Sequence, residues 1–374
     1  WSFKAGLVCR GMVENLGDGE EVKFLQTSYK INMKGKNTSI INHIPSDNFL
    51  FSVLGINNDS FFEAIMEHFF EIKYSYKAWG NFIDFTFEDA SNWSSFKGLN
   101  TIYLAQNYLD LISSHTTMEK MVNNFLQLGF QILVPVDVCY IDAYNCHGHH
   151  KSHELNIVSI EDNNQAFLCK DFFGGVYKAM VISKYEILDA VCNYKDTYNE
   201  QWNGQETGLV ALKRKERYVY QFQHRFFLNR LYNMMYYKYD FCTPSFGLGI
   251  FDAIKETHVN GVGYWRPSTT RRFYQFIADN IELIKYRLLY LNQINSAFRN
   301  IDLNLECDRI QKICILQRNK LLKYEILHEN KLIVDKDESV KDMSNHLEQL
   351  KTQIHKLIGE IINKLEKVYS FDIQ

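Results

Sequence analysis

The sequence predicts an α+β protein: an antiparallel sheet with helices in the first half, then an all-helical second half ending in a coiled-coil-like helix. Three observations predict it. Helical patterns come first and a block of strand patterns follows, the order of an α+β arrangement and not of a doubly wound sheet. A polar stretch over 193–208, with Gly204 and Gly208, separates that block from a remainder that reads helical throughout. Finally, Val340, Met343, Leu347, Leu350, Ile354, Leu357 and Ile361 recur with alternating three- and four-residue spacing, the seam of a coiled-coil helix. The expected organisation is an N-terminal segment over 1–40, a first domain over 41–200 and a helical domain over 209–374.

In chain order, residues 1–40 mix charged and apolar residues with five glycines and predict no element. Pro45, Ser46 and Asp47 open a short buried helix over Phe49–Leu54 that Gly55 closes. Asp59 and Ser60 cap a second helix with Phe61, Phe62, Ile65, Met66 and Phe69 on one side. The aromatic, partly alternating runs within 72–104 read as strands, and Met118–Gly129 as an amphipathic helix. Three strands follow: Ile132–Tyr140, His153–Ile160 and Ala166–Asp171, the last two joined by the turn Asp162-Asn163-Asn164. Beyond the polar stretch, helices are expected over 209–239, 245–258, 268–300, 301–334 and 339–370. The final one needs a partner for its seam, either Asp302–Val334 folded back on it or a second subunit.

Composition narrows the function. Hydrophobic residues make up 46% of 374 and aromatics 15%, which describes a packed globular chain. A balance of 41 basic to 44 acidic residues leaves no electrostatic footprint for nucleic acid or for an anionic membrane. Eight cysteines without a CxxC pair argue for free thiols in a reducing compartment. No segment reaches the ~18 consecutive apolar residues that span a bilayer, and no signal-peptide pattern opens the chain, so a cytoplasmic location is expected.

The chemistry concentrates in the strand block. With the hairpin tip at Asn163, residues whose numbers sum to about 326 lie opposite one another, which brings His153 and Asp171 within reach across one face. A carboxylate on one imidazole nitrogen fixes the tautomer and supports the imidazolium, the base-and-orienter half of a nucleophilic triad. A cross-strand pair that only stabilises the sheet has the same spacing. Cys146, His147, His149, His150 and His153 crowd the preceding loop and are all potential zinc ligands, but in no standard metal spacing, so no metal is assigned. His224 and Arg225 read as packing or capping residues, and Arg266, Arg271 and Arg272 beside Trp265 as the charged start of a helix.

The segment from Pro135 to Gly175 resembles papain-fold proteins related to the N-terminal domain of the butirosin biosynthesis protein that moves an acyl chain from a carrier protein onto an aminoglycoside. Relatives of that family occur beside nonribosomal peptide and polyketide assembly lines. The resemblance rests on Val136-Asp137 with Tyr140 ending one strand, His153 opening the next, and Asp171 followed by Phe172-Phe173 closing the third. Residues 246–256 and 281–293 add helical segments similar to those of the assembly-line relatives. The resemblance implies a papain-like first domain that performs acyl transfer or amide-bond formation on a carrier-bound thioester. The partners it implies are an acyl or peptidyl carrier protein and a small amine acceptor. It implies no cofactor, since the acyl group arrives on the carrier's phosphopantetheine arm. The family's nucleophilic Cys would stand at the start of the first helix, around Asn42–Asn48, and there is no cysteine there. Three alternatives remain open. Ser46, beside Asp47, replaces the thiol under activation by His153; His153 acts as general base on an amine without a covalent intermediate; or the site is inactive and the module binds a carrier protein or synthetase. A homodimer through the C-terminal helix is a further expectation.

Overall fold

The computed structural model describes residues 45–55, 58–70, 72–77, 82–87, 93–112, 114–146, 148–194, 208–236, 245–259, 267–298, 301–327 and 337–369. All fall in one compact unit, Met33–Gln374. The N-terminal segment over 1–40, His147, most of the polar stretch at 193–208, and Trp265 with Arg266 lie outside the described residues.

Two helices come first, α1 (Pro45–Leu54) and α2 (Asp59–Glu67). Asn58 caps α2 by accepting from the Phe61 amide at 3.1 Å, one position ahead of the Asp59-Ser60 cap expected from sequence. Strands β1 (Ile72–Lys77), β2 (Phe82–Phe87) and β3 (Leu99–Ala105) follow, then α3 (Gln106–Leu111) and α4 (His115–Gln127), whose first turn is capped by Ser114. Next are β4 (Gln131–Asp137), β5 (Ser152–Glu161), β6 (Ala166–Phe173), β7 (Val176–Ser183), α5 (Lys184–Cys192) and β8 (Gly208–Arg214). The remainder is α6 (His224–Tyr236), the two-residue β9 (Ser245–Phe246), α7 (Gly249–Val259), α8 (Pro267–Ile294), α9 (Ile301–Leu327) and α10 (Asp337–Tyr369). The molecule is thus α+β with a largely helical C-terminal region, as the pattern predicts.

The main sheet is antiparallel in the order β3-β8-β4-β5-β6-β7, and a small sheet runs β2-β1-β9. Two strands of the main sheet depart from the expectation. Residues 208–214 form β8, in the middle of the sheet, although the run 209–239 reads as helix. Gly-Leu-Val-Ala-Leu is too short an apolar run for period to separate helix from strand, and backbone pairing on both sides decides it. Strand β7 has no counterpart among the expected elements. The dipeptide Gly174-Gly175 has φ of 64° and 79°, the left-handed pair of a two-residue hairpin that joins β6 to β7.

Strand alternation sorts the sheet residues to two faces. One face carries Ile132, Val134, Val136, Leu155, Ile157, Phe167, Cys169, Phe173 and Ala211, packed with Met118 and Val122 of α4 and Ile187 and Val191 of α5. The other is crossed by α1, which meets β4, β5, β6 and β8. Ser52 of α1 donates to Gln131 at 3.2 Å and accepts from the Lys170 ammonium at 3.0 Å.

The helical region closes on itself. Leu347, Leu350, Ile354, Leu357 and Ile361 are buried, and α10 packs on α6, α7 and α9 of the same chain. The Lys351 ammonium holds both Asp252 oxygens at 2.7 Å, and Tyr232 bonds Glu366 at 2.5 Å. Of the two partners expected for this seam, the helix of the same chain within 302–334, here α9, is one that it meets, together with α6 and α7. Arg287 of α8, only 2% exposed, ties the bundle to α2: it donates to the Ile65, His68 and Phe69 carbonyls at 2.7 to 3.1 Å, with its guanidinium 3.8 Å above the Phe70 ring.

Candidate functional site

The hairpin β5–β6 has the register that its turn predicts. Asn156 lies opposite Lys170 and Ile157 opposite Cys169, pairs that sum to 326; past a bulge between Ile157 and Ser159 the offset grows by one. The turn backbone at Asp162, Asn163 and Asn164 has φ of 48°, 50° and 74°, a conformation that Asn and Asp tolerate better than other side chains do. His153 is accordingly diagonal to Asp171 on one face, and its Nε2 stands 2.7 Å from Asp171 Oδ2.

Asp171 is sealed at 1% side-chain exposure, whereas His153 keeps 28%. The same Oδ2 accepts the Tyr144 hydroxyl in a short hydrogen bond, and Oδ1 accepts the Phe172 amide at 2.7 Å. Three donors thus converge on one buried carboxylate, which satisfies the rule that a buried charge needs partners. With Nε2 donating to the carboxylate, Nδ1 is the nitrogen left to take a proton. The Tyr144 ring also meets the imidazole edge-on, with centroids 5.5 Å apart, and tilts on Phe173 at 5.0 Å. Burial and the adjacent carboxylate push the Tyr144 hydroxyl far above its ordinary pKa, so it stays a donor.

A second pair lies at the end of β4. His150 Nδ1 is 2.7 Å from Asp137 Oδ2, and Asp137 Oδ1 accepts the Cys139 amide at 3.0 Å and the Lys151 amide at 3.2 Å. His150 is 62% exposed and its ring centre is 6.0 Å from that of Tyr140. His150 and His153 are therefore drawn to two separate carboxylates, and no three of His, Cys, Asp or Glu converge to hold a metal among the described residues.

Helix α1, which carries Ser46 and Asp47, packs on the face of the sheet opposite the pair. Lys170 and Asp171 are neighbours on β6 and point to opposite faces; Lys170 reaches α1, while Asp171 lies between Cys169 and Phe173 on the α4–α5 side. Asp47 is buried in the first turn of α1, and the Ser46 side chain lies outside the described residues. Nor does Cys169, two positions before Asp171 on the same face, take the nucleophile's place. Cys169 is buried, and desolvation with the Asp171 charge pushes it well above the ordinary thiol range.

Two participants escaped the sequence reading. Tyr144 stands 27 positions from Asp171 on a single-turn helix closed by Asn145 at φ 52°, and no periodicity links them. The Asp137–His150 pair had a signal, an acid ending a strand 13 residues before a histidine, but one indistinguishable from a loop. His224, expected to pack, stacks on Tyr369 at 4.4 Å, and Arg271 pairs with Glu325 at 2.8 Å.

Among the described residues no helix is long and apolar enough to cross a membrane. No protein-family model matches the chain, and no curated protein matches it in sequence.

Proposed function

We propose that the chain transfers an acyl group from a carrier-bound thioester to an amine, with a papain-like first half presenting His153 as general base. The single observation that carries this reading is the His153 Nε2–Asp171 Oδ2 contact of 2.7 Å, in which a buried acid holds a half-open imidazole. A thioester is already activated, so positioning the amine and removing its proton suffices. In this step the amine nitrogen attacks the carbonyl carbon, and its proton goes to His153 Nδ1. The carbon–sulfur bond then breaks, and the departing phosphopantetheine thiolate takes the proton back. Asp171 supports the imidazolium through Nε2, and Tyr144 helps to hold Asp171. Direct attack is favoured over a seryl intermediate because α1, which carries Ser46, packs on the other face of the sheet.

The same displacement of α1 favours a second reading, a papain-like module without catalysis that binds a carrier protein or synthetase. Short-acyl and aminoacyl thioesters of N-acetylcysteamine, offered with a panel of amines, distinguish the two. Catalysis predicts amide product that falls about a hundredfold or more in His153→Ala and Asp171→Asn, with melting temperatures retained. Absence of product from every thioester, together with carrier-protein binding that survives both substitutions, would establish the binding module instead.

A further inference from the structure

The connection from β4 to β5 is packed on one limb only. Its outgoing limb buries Val138 and Ile141 in the α4–α5 core. On its returning limb the described residues Asn145, Cys146, Gly148, His149 and His150 are half-buried or exposed, and a side chain placed on Gly148 would meet nothing within 4 Å. Tyr144 stands between the limbs with its hydroxyl on Asp171. A limb with little packing is held by polar bonds, and here they gather on Asp137, which is 6% exposed. Its Oδ1 accepts the Cys139 amide where the connection leaves and the Lys151 amide where it returns, and its Oδ2 meets His150 Nδ1. The Val138 amide donates to the Lys151 carbonyl at 3.0 Å beside them. One buried carboxylate thus closes the neck of the connection, while a second, Asp171, holds its middle.

We propose that Asp137 is a positioning residue for His153: by closing this neck it keeps Tyr144 on Asp171, and so sets how strongly Asp171 supports the imidazole. Its bearing on turnover rests on the reading of His153 as general base, whereas the coupling itself is a property of the free protein. Tyr144 and His153 share Asp171 Oδ2. A hydroxyl that donates to this oxygen draws charge from it and weakens its support for the imidazolium, so withdrawal of Tyr144 makes His153 more basic. The charge of Asp137 acts in the opposite sense, because removing an anion from the surroundings of an imidazole makes it less basic. The sign of the change therefore tells release of Tyr144 from loss of the charge. Glu154, beside His153 on β5, and Lys178, opposite Asp171 on β7, are the other charged groups at the pair, and substitution of Asp137 leaves both in place.

An NMR titration of the full chain with isotope-labelled histidines tests the proposal, the His153 signals being identified by their loss in His153→Gln. Tyr144→Phe is expected to raise the His153 pKa by about 0.5. Asp137→Ala is expected to raise it by as much, and the double variant by no more than either alone. Asp137→Asn keeps an acceptor for both neck amides and is expected not to raise it. An unchanged or lowered pKa in Tyr144→Phe or in Asp137→Ala overturns the proposal, as does an additive double variant or a rise in Asp137→Asn. Asp137→Ser, whose hydroxyl is too short to span the neck, takes the place of Asp137→Ala if that variant does not fold; loss of the fold in both assigns Asp137 to stability alone and also overturns the proposal. The titration needs no turnover, so a lack of amide product sinks the acyl-transfer reading while the His153 pKa still decides the coupling. Where product forms, the acid limb of its pH profile is expected to move up with that pKa in Asp137→Ala and not in Asp137→Asn.

Discussion

At the residue scale the site depends on how one buried oxygen is shared. Asp171 Oδ2 serves both His153 and Tyr144, so removing the tyrosine hydroxyl leaves the imidazole held but the acid less constrained. In the thioester assay Tyr144→Phe is expected to lower the rate about tenfold, less than Asp171→Asn, because Phe keeps the ring contacts and loses one of three donors. Equal losses for the two substitutions would mean that Tyr144 does more than hold the acid. The thiols near the site make a separate prediction. Cys169 is buried with its acidity suppressed, whereas Cys139 and Cys146 are partly exposed. Iodoacetamide followed by mass spectrometry should therefore modify Cys139 and Cys146 in the folded protein and reach Cys169 only in urea. Arg287 shows the structural use of a buried cation: three carbonyls in the last turn of α2 and just after it depend on it, and Arg287→Ala should cost about 3 kcal/mol in denaturant unfolding. A loss within the range of surface substitutions would show that those carbonyls find other donors.

At the element scale the contrast is between two long helices. The apolar stripe of α10 is spent on α6, α7 and α9, so Leu357→Ala should destabilise the fold by about 3 kcal/mol whatever the protein concentration. Substitution of exposed Leu316 on α9 should leave unimolecular stability nearly unchanged. If Leu357→Ala were neutral, α10 would not be the closing element of the bundle. The hairpin β5–β6 is the other informative element. Its register follows from a three-residue turn of left-handed Asp and Asn, and it alone is enough to bring an imidazole to a carboxylate 18 positions away.

At the scale of the whole molecule, stability should respond to pH through Glu67 at the end of α2. Burial raises its pKa above the ordinary 4.5, and the Lys97 ammonium, 3.7 Å away on an exposed side chain, offsets this only in part. The folded state therefore holds this proton more tightly than the unfolded chain does. The resulting stability is complete below the unfolded pKa and is lost as pH rises through the folded one. Glu67→Gln should melt at a temperature close to wild type at pH 4 and above it at pH 7. A gap that does not widen between those two values would rule out Glu67 as a source of the pH response.

The sequence by itself determined the α+β class, the helices from 267 onward, the β5–β6 hairpin and the approach of His153 to Asp171. All of these follow from local periods, caps and turn chemistry within a few tens of residues. Tertiary structure alone decided that 208–214 enters the sheet, because a five-residue apolar run satisfies either period until strands pair on both sides of it. It decided likewise that Tyr144 completes the carboxylate's shell, and that α1 crosses the opposite face. Neighbouring strand residues such as Lys170 and Asp171 point apart by geometry, but which helix covers which face is settled only when the whole core packs.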